Sequence, residues 1–323
     1  MVPDEGLITA YVIDSTGKGR ILNWDGITQW EPEQGLLWVH LDYKQDISQK
    51  WLEEASGLDP IVIEALSAEE TRPRYAIIDN GLLTILRGVN LNPGADPEDM
   101  ISIRLWLDKN RIISTRSRYM LSEKKMITAI EAGKGPQTSS EFLTDHSYYM
   151  IEHMSDVIDD IDNKVDRQED LLEEDEVNQI QDELADMRKQ IITLRRYLAP
   201  QRDVMLRLAS EKLVWFEEHD RLHLREIADT IMRYIEDLDE ARERIKVIHE
   251  QIISSISDQT NKRMYLLSII AAIFLPLSFI VGLLGINVKM PGADHPDAFI
   301  IVTLLLVALS VALYFILKIK KWM

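Results

Sequence analysis

The stretch that decides the architecture is MYLLSIIAAIFLPLSFIVGLLGIN, residues 264–287, which contains no charged side chain. A second uncharged apolar stretch, residues 299–317, follows it. At about 1.5 Å per residue, each predicts a helix that can cross about 30 Å of hydrocarbon. The alternative, a hairpin buried in a soluble core, does not suit two uncharged stretches of this length. The sequence therefore predicts transmembrane helices at 264–284 and 299–317, joined by an outer loop at 285–298, and makes membrane transport the leading function.

The distribution of basic residues predicts the orientation of these two spans. The loop between them carries one lysine, Lys289, beside Asp294 and Asp297, whereas the outer flanks carry Lys262, Arg263, Lys318, Lys320 and Lys321. Basic residues favour the cytoplasmic side of a membrane. We therefore expect a multi-pass protein of the plasma (inner) membrane with both termini in the cytoplasm, including a basic tail at 318–323. The polar N-terminus predicts no secretory signal.

Composition restricts the chemistry of any binding site. The chain has 323 residues, a formal net charge of −18 and no cysteine. Disulfides and thiolate metal sites are thereby excluded, which leaves imidazole, carboxylate, amide and water ligands. Residues 141–186 hold 17 acidic residues against two basic ones, a surface that repels nucleic acid and attracts cations. A solvated helix face without binding function is the simpler interpretation of this acidity.

Residues 1–135 predict a cytosolic α/β domain with a mixed sheet, within an α+β chain. Strand signals occupy 7–14, 20–24 and 36–42, and helix signals occupy 46–56 and 59–70, each opened by a capping Asp. The Asp79-Asn80-Gly81 sequence predicts a hairpin, because Asn-Gly tolerates the positive φ of a tight turn. A second hairpin is predicted across Asp108-Lys109-Asn110.

Apolar residues at three- and four-residue steps make the rest of the chain helical. Residues 136–212 predict two acidic antiparallel arms that turn near 172–176, with Pro200 interrupting the end of the second arm. Residues 213–263 predict a stalk helix that runs without interruption into the first span. The stalk has a packing seam typical of helix–helix contacts: Ile227, Ile231, Tyr234, Leu238, Ala241, Ile245, Ile248 and Ile252.

A second stripe of the same predicted helix changes from acidic to polar and then to small or apolar residues. We call it the pathway stripe: Glu236, Glu240, Glu243, Val247, Glu250, Ser254, Ser257, Asn261, Met264, Leu267, Ala271, Leu275, Ser278 and Gly282. If several copies surround an axis, the stripe lines a path with an acidic entrance and a narrow apolar section. Alternatively, its acidic part faces water and its small residues are close-packing sites between membrane helices.

The Gly285-Ile286-Asn287 sequence ends the first span. An asparagine carbonyl is a neutral oxygen that can contact a cation or its hydration water without holding it too long. The same pattern is a common helix cap, and both interpretations remain open on these residues alone.

Histidines suggest further metal sites. His219 and His223 are four residues apart on a predicted helix, a spacing that suits two imidazole ligands. In the outer loop, Asp294 and His295 are candidates for metal capture. A solvated helix face and a plain polar loop are the alternatives. We find no motif for nucleotide hydrolysis or covalent catalysis, so neither an enzyme nor a resident cofactor is expected.

Residues 264–287 closely resemble the first membrane segment and signature of the CorA metal-ion transporter superfamily. Two further segments are similar to the family: Trp38-Val39-His40-Leu41-Asp42, and Leu194-Arg195-Arg196 with the following Pro200-x-Arg202. The resemblance implies a homopentameric funnel in the lipid bilayer, with the first span lining the pore. By matched position it implies that Asn287 forms the outer selectivity ring and that Ser278, Leu275, Met264 and Asn261 line the pore.

Two departures matter for the choice of ion. Magnesium members of the family generally have Gly-Met-Asn followed by a Met-Pro-Glu loop, whereas this chain has Ile286 and Met290-Pro291-Gly292. The residue other than Met at position 286, together with the segments Arg72-Pro73-Arg74 through Gly81-Leu82-Leu83 and Arg87-Gly88-Val89-Asn90, resembles the ZntB zinc-transporter branch. We therefore expect Zn²⁺ to be the transported ion, with proton coupling implied by the resemblance. The alternatives are a magnesium or cobalt channel of the same architecture, and a membrane-anchored helical scaffold that conducts nothing.

Overall fold

The computed structural model describes residues 6–69, 71–173, 180–285 and 296–319. The chain divides into two compact units, Met1–His249 and Glu250–Met323. The first unit contains a sheet and several helices, and the second consists of the end of one long helix and a further apolar helix.

A seven-stranded mixed sheet forms the centre of the first unit. Its strands are β1 (Leu7–Ile13), β2 (Gly19–Ile21), β3 (Leu36–Asp42), β4 (Arg74–Ile78), β5 (Gly81–Gly88), β6 (Ile101–Leu107) and β7 (Arg111–Arg116). Their spatial order is β2-β1-β3-β7-β6-β5-β4. The pair β3–β7 is parallel and the other pairs are antiparallel. The predicted α+β fold with a mixed sheet is confirmed.

Eight α-helices accompany the sheet in the described ranges. They are α1 (Trp24–Thr28), α2 (Asp46–Glu54), α3 (Pro60–Ser67), α4 (Leu121–Glu131), α5 (Ser139–Glu173), α6 (Ile180–Leu208), α7 (Glu218–Leu284) and α8 (Ala298–Ile319). Helix α7 joins the predicted stalk to the first predicted span without a break, and α8 matches the second predicted span. The predicted turn between the arms, at 172–176, falls largely outside the described residues.

Both predicted hairpins are present. Strands β4 and β5 pair with Ile78 opposite Gly81, and β6 and β7 pair with Leu107 opposite Ile112. The positive φ in the first turn belongs to Asp79, at 52°, rather than to Asn80-Gly81. Gly81 has a different role: a Cβ there would lie 2.1 Å from the indole ring of Trp106, so only glycine allows this close approach.

Three local predictions were wrong. The strand expected at 20–24 ends at Ile21, because the Asn23 side chain accepts a hydrogen bond from the Gly26 N–H and caps α1. Gln45, not Asp46, is the N-cap residue of α2. Asp59 does cap α3, as predicted, by accepting from the Ile61 N–H.

The third error concerns Pro200, which lies inside α6 rather than ending the arm. Proline removes one backbone donor and normally breaks a helix. Here the residues on both sides are anchored: Leu198 and Gln201 are buried, and the Gln201 side chain accepts a hydrogen bond of 2.7 Å from the Arg87 N–H. These tertiary contacts stabilise the helix on both sides of the proline, and α6 continues through it.

The packing seam of α7 is largely as predicted. Seven of its eight residues are buried; Tyr234 is the exception, since the neighbouring Ile235 takes the buried position. Arg244 fixes the same helix to α5 by contacting three carboxylates, those of Asp162, Asp166 and Glu169. Three of the acidic side chains of α5 therefore form ion pairs within the chain.

A buried polar network joins β3 and β7 to α4. His40 Nε2 is 3.1 Å from Glu123 Oε1, and Arg116 Nε is 2.5 Å from Glu123 Oε2. The other ring nitrogen of His40 lies 2.7 Å from the Ser114 hydroxyl. His146 is fully buried nearby, and neither of its ring nitrogens has a hydrogen-bond partner in the described part of the chain. Burial, offset in part by Glu123 and reinforced by His40, lowers the pKa of His146 to about 4.

This burial predicts a pH dependence of stability. The unfolded chain takes up a proton at His146 near pH 6.5 and the folded chain does so only near 4, so stability falls as the pH drops through this window. Between pH 7.5 and 5 the loss from this one residue is about 2 kcal/mol. We expect His146→Leu to remove that part of the pH dependence in thermal unfolding curves. The exposed His249→Leu is the control, and an equal effect of both substitutions would contradict the assignment.

Candidate ion pathway

The pathway stripe lies along α7, and every one of its fourteen residues is exposed in the isolated chain. The large apolar members are strongly exposed, at 59% for Met264, 72% for Leu267 and 75% for Leu275. The hydroxyl and amide members Ser254, Ser257, Asn261 and Ser278 are exposed as well. A single chain therefore leaves the whole stripe available for contact with water, lipid or another copy.

The apolar windows of α7 and α8 are long enough to cross a membrane, and no residue in either window is buried within the chain. A core helix of a soluble protein would be mostly buried. The exposure therefore argues against the soluble hairpin. Helix α7 continues through Pro276, which a membrane helix tolerates when its surroundings satisfy the freed carbonyl.

The acidic part of the stripe has a negative electrostatic environment. The pKa of Asp237, a neighbour of the stripe, is raised first by partial burial and then by the carboxylates of Asp162, Glu240 and Glu236. Carboxylates that lie close together repel one another, and a nearby cation reduces this repulsion. Glu243 is partly neutralised, because it lies 3.2 Å from Arg242 and 4.0 Å from Lys246.

The predicted outer motif lies only partly in the described residues. The Gly285 N–H donates to the Val281 carbonyl at 3.0 Å, so the helical bonding pattern reaches this glycine. Gly285 does not have a positive φ, so the left-handed conformation that glycine permits is not used here. Ile286, Asn287, Asp294 and His295 lie outside the described residues, and their roles remain predictions.

The two histidines predicted as a metal pair are neighbours in space. The ring centroids of His219 and His223 are 4.4 Å apart in an edge-to-face arrangement. Within the described ranges, no three His, Asp or Glu side chains already surround a common point that would hold a metal ion. Sequence reasoning missed Asp145 of α5, which lies near Asp220 and His219; only the packing of α5 against α7 brings these groups together.

Comparison with known proteins covers nearly the whole chain. Residues 33–321 match the family model described as CorA-like Mg²⁺ transporter protein. The chain is 40% identical to the divalent cation transporter CmaX of Pseudomonas aeruginosa, over 99% of this chain and 98% of that protein. It is 37% identical to the zinc transport protein ZntB of Pectobacterium carotovorum, over 98% and 96% of the two chains. The solved structure of full-length CmaX superposes with a TM-score of 0.87 at 39% identity and covers both chains completely.

The exposure of the stripe leads to a prediction about thiol labelling. An introduced cysteine is the only thiol that can react, because the chain has no cysteine of its own. We expect Ser278→Cys in membranes to react with a charged, water-soluble thiol reagent at least about tenfold faster than Phe279→Cys. The reason is that a thiol reacts as its thiolate, which needs water, and only the pathway stripe is expected to be hydrated. Phe279 is the matched control because it is adjacent and 70% exposed in the isolated chain. Faster labelling of the cysteine at 279 would place the stripe against lipid.

Proposed function

The chain belongs to the CorA family of divalent metal-ion transporters, and we propose that it moves Zn²⁺ across the inner membrane through a pore formed by five copies. The observation that carries the proposal is the exposed stripe of α7, which passes from carboxylates to hydroxyl and amide groups and then to small or apolar residues. Members of this family are ion transporters rather than enzymes. The cation is the cargo, so no resident cofactor is invoked.

In this proposal the acidic residues concentrate the cation and the neutral groups let it pass. Glu236, Glu240 and Glu250 draw divalent ions from solution, because a one-signed surface raises the local concentration of counter-ions. The hydroxyls of Ser257 and Ser278 replace part of the hydration water. Asn287 contacts the ion or its water shell through an uncharged oxygen, and conduction requires such weak, repeated contacts.

The choice of zinc rests on the outer motif and on the relatives. Ile286 stands where magnesium members generally have methionine, and Gly292 stands where their loop has glutamate. Several relatives of 33–37% identity carry the name zinc transport protein ZntB. A broader divalent-cation transporter, including Mg²⁺ or Co²⁺, is the second candidate, because the relative at 40% identity is named a divalent cation transporter.

Proton coupling in this protein cannot use a relay of ionisable side chains within the two predicted spans. Neither predicted span contains Asp, Glu, His, Lys or Arg. Intramembrane proton relays use such residues. Coupling would therefore involve the acidic entrance, the outer loop or the hydrated ions themselves.

The first test is uptake of Zn²⁺ and Mg²⁺ into proteoliposomes. We expect the parent to take up Zn²⁺ and Asn287→Ala to lose most of that flux, because the outer oxygen ring is removed. Asn163→Ala is the matched control, since Asn163 is an exposed asparagine on α5 outside the stripe. Undiminished zinc flux in Asn287→Ala would refute the proposed pore. Magnesium flux without zinc flux would establish the second candidate.

Two further measurements separate the remaining alternatives. An imposed pH gradient that leaves zinc flux unchanged would argue against proton coupling.

The mass of the particle in detergent tests the assembly: a pentamer is expected, whereas a monomer or dimer cannot form an axial pore and would support the non-conducting scaffold.

A further inference from the structure

A cluster of imidazole and carboxylate groups lies where the first turns of α7 pack near α5, within the first unit. We call it the α5–α7 cluster, and it consists of Asp145, His219, Asp220 and His223. None of these residues belongs to the pathway stripe. A groove of about 640 Å³ between α5 and α7 is lined by Asp145 and His223 together with Glu152 and Glu226, so the cluster is open to solvent on one side.

The two imidazoles provide exposed ligands. His219 and His223 are one helical turn apart, both are exposed, and their ring centroids are 4.4 Å apart. Residues four apart lie on the same face of a helix, so both side chains can turn toward one point. Paired histidines at this spacing suit a transition-metal ion.

Asp220 provides a buried carboxylate beside these imidazoles. Its side chain is only 1% exposed, and its Oδ1 atom lies 3.2 Å from Nδ1 of His219. That oxygen takes part in no hydrogen bond within the described part of the chain. A buried carboxylate oxygen without a hydrogen bond is costly, and a bound cation would remove the cost.

The charges around Asp220 are predominantly negative. Burial raises the pKa of Asp145 to about 6, with further increases from Glu141 and Asp220 and a decrease from His219. The adjacent basic residue, Arg221, is engaged elsewhere, 3.8 Å from Glu218 and 3.5 Å from the Leu213 carbonyl. The cluster thus combines two carboxylates with two imidazoles, and the basic residue next to Asp220 in sequence is paired with other groups.

We propose that the α5–α7 cluster is a second metal site, which binds one Zn²⁺ per chain through His219, His223 and Asp220, with Asp145 beside them. Zinc is favoured over Mg²⁺ because imidazole ligands suit zinc, whereas Mg²⁺ prefers oxygen ligands and retains its water. Because these side chains do not yet surround a common point, binding requires the exposed imidazoles to rotate toward the buried Asp220. The site is independent of the proposed pore.

The test is metal binding to the purified full-length chain after removal of any affinity tag. Zn²⁺ is titrated in competition with a chromogenic chelator, and Co²⁺ is added as a spectroscopic probe. We expect the parent to bind one more Zn²⁺ per chain than the His219→Ala/His223→Ala double variant. We expect Asp220→Asn, which keeps the shape of the side chain, to bind at least about tenfold more weakly. His249→Ala, an exposed histidine of the same helix, is the matched control.

The cobalt spectrum of the parent tests the site without relying on the folding of any variant. The parent should show the intense visible bands of a four-coordinate Co²⁺ site with imidazole ligands, and the double variant should lose them. A parent spectrum of hydrated Co²⁺ only, or equal zinc stoichiometry in parent and double variant, would overturn the proposal. Asn287→Ala should keep these bands while losing zinc flux, so the two proposals fail separately.

Discussion

One constraint governs the C-terminal part of this chain: in hydrocarbon, a polypeptide must satisfy its backbone hydrogen bonds within its own secondary structure. The two uncharged apolar segments are helical, and within the first of them the Ser268 hydroxyl donates to the Met264 carbonyl at 2.9 Å. Serine and glycine on the pathway stripe are less suited to a lipid face than the Phe and Leu residues around them. The composition of the stripe therefore supports the proposed assembly of several copies.

The acidic residues of the first unit serve at least two physical roles. Some carboxylates of α5 are paired by Arg244, which attaches α5 to α7 and stabilises their packing. Others, such as Asp237 and Asp145, have a raised pKa because burial and neighbouring carboxylates oppose their ionisation. The first group holds helices together, whereas the second leaves an unbalanced negative charge that favours cations. A count of acidic residues cannot separate these roles, because they differ only in what each carboxylate contacts.

The two proposed metal environments differ in the chemistry that each function needs. A pathway must release its ion quickly, which favours uncharged oxygens such as those of Ser278 and Asn287. A site that retains an ion needs stronger donors, and imidazole together with a buried carboxylate supplies them. The expected zinc preference of the pathway and the proposed zinc site on α5–α7 thus rest on different ligands and different parts of the chain.

Features that depend on neighbours along the chain could be predicted from the sequence. Uncharged length predicted both spans, the three- and four-residue periodicity predicted the buried seam of α7, and turn residues predicted both hairpins. Four other features depend on tertiary contacts: the parallel pairing of β3 with β7, the continuation of α6 through Pro200, the need for glycine at position 81 against Trp106, and the approach of Asp145 to Asp220. These features join residues that are far apart in sequence. The packing energy that favours them can outweigh local propensity, and it produces no periodic pattern in the sequence.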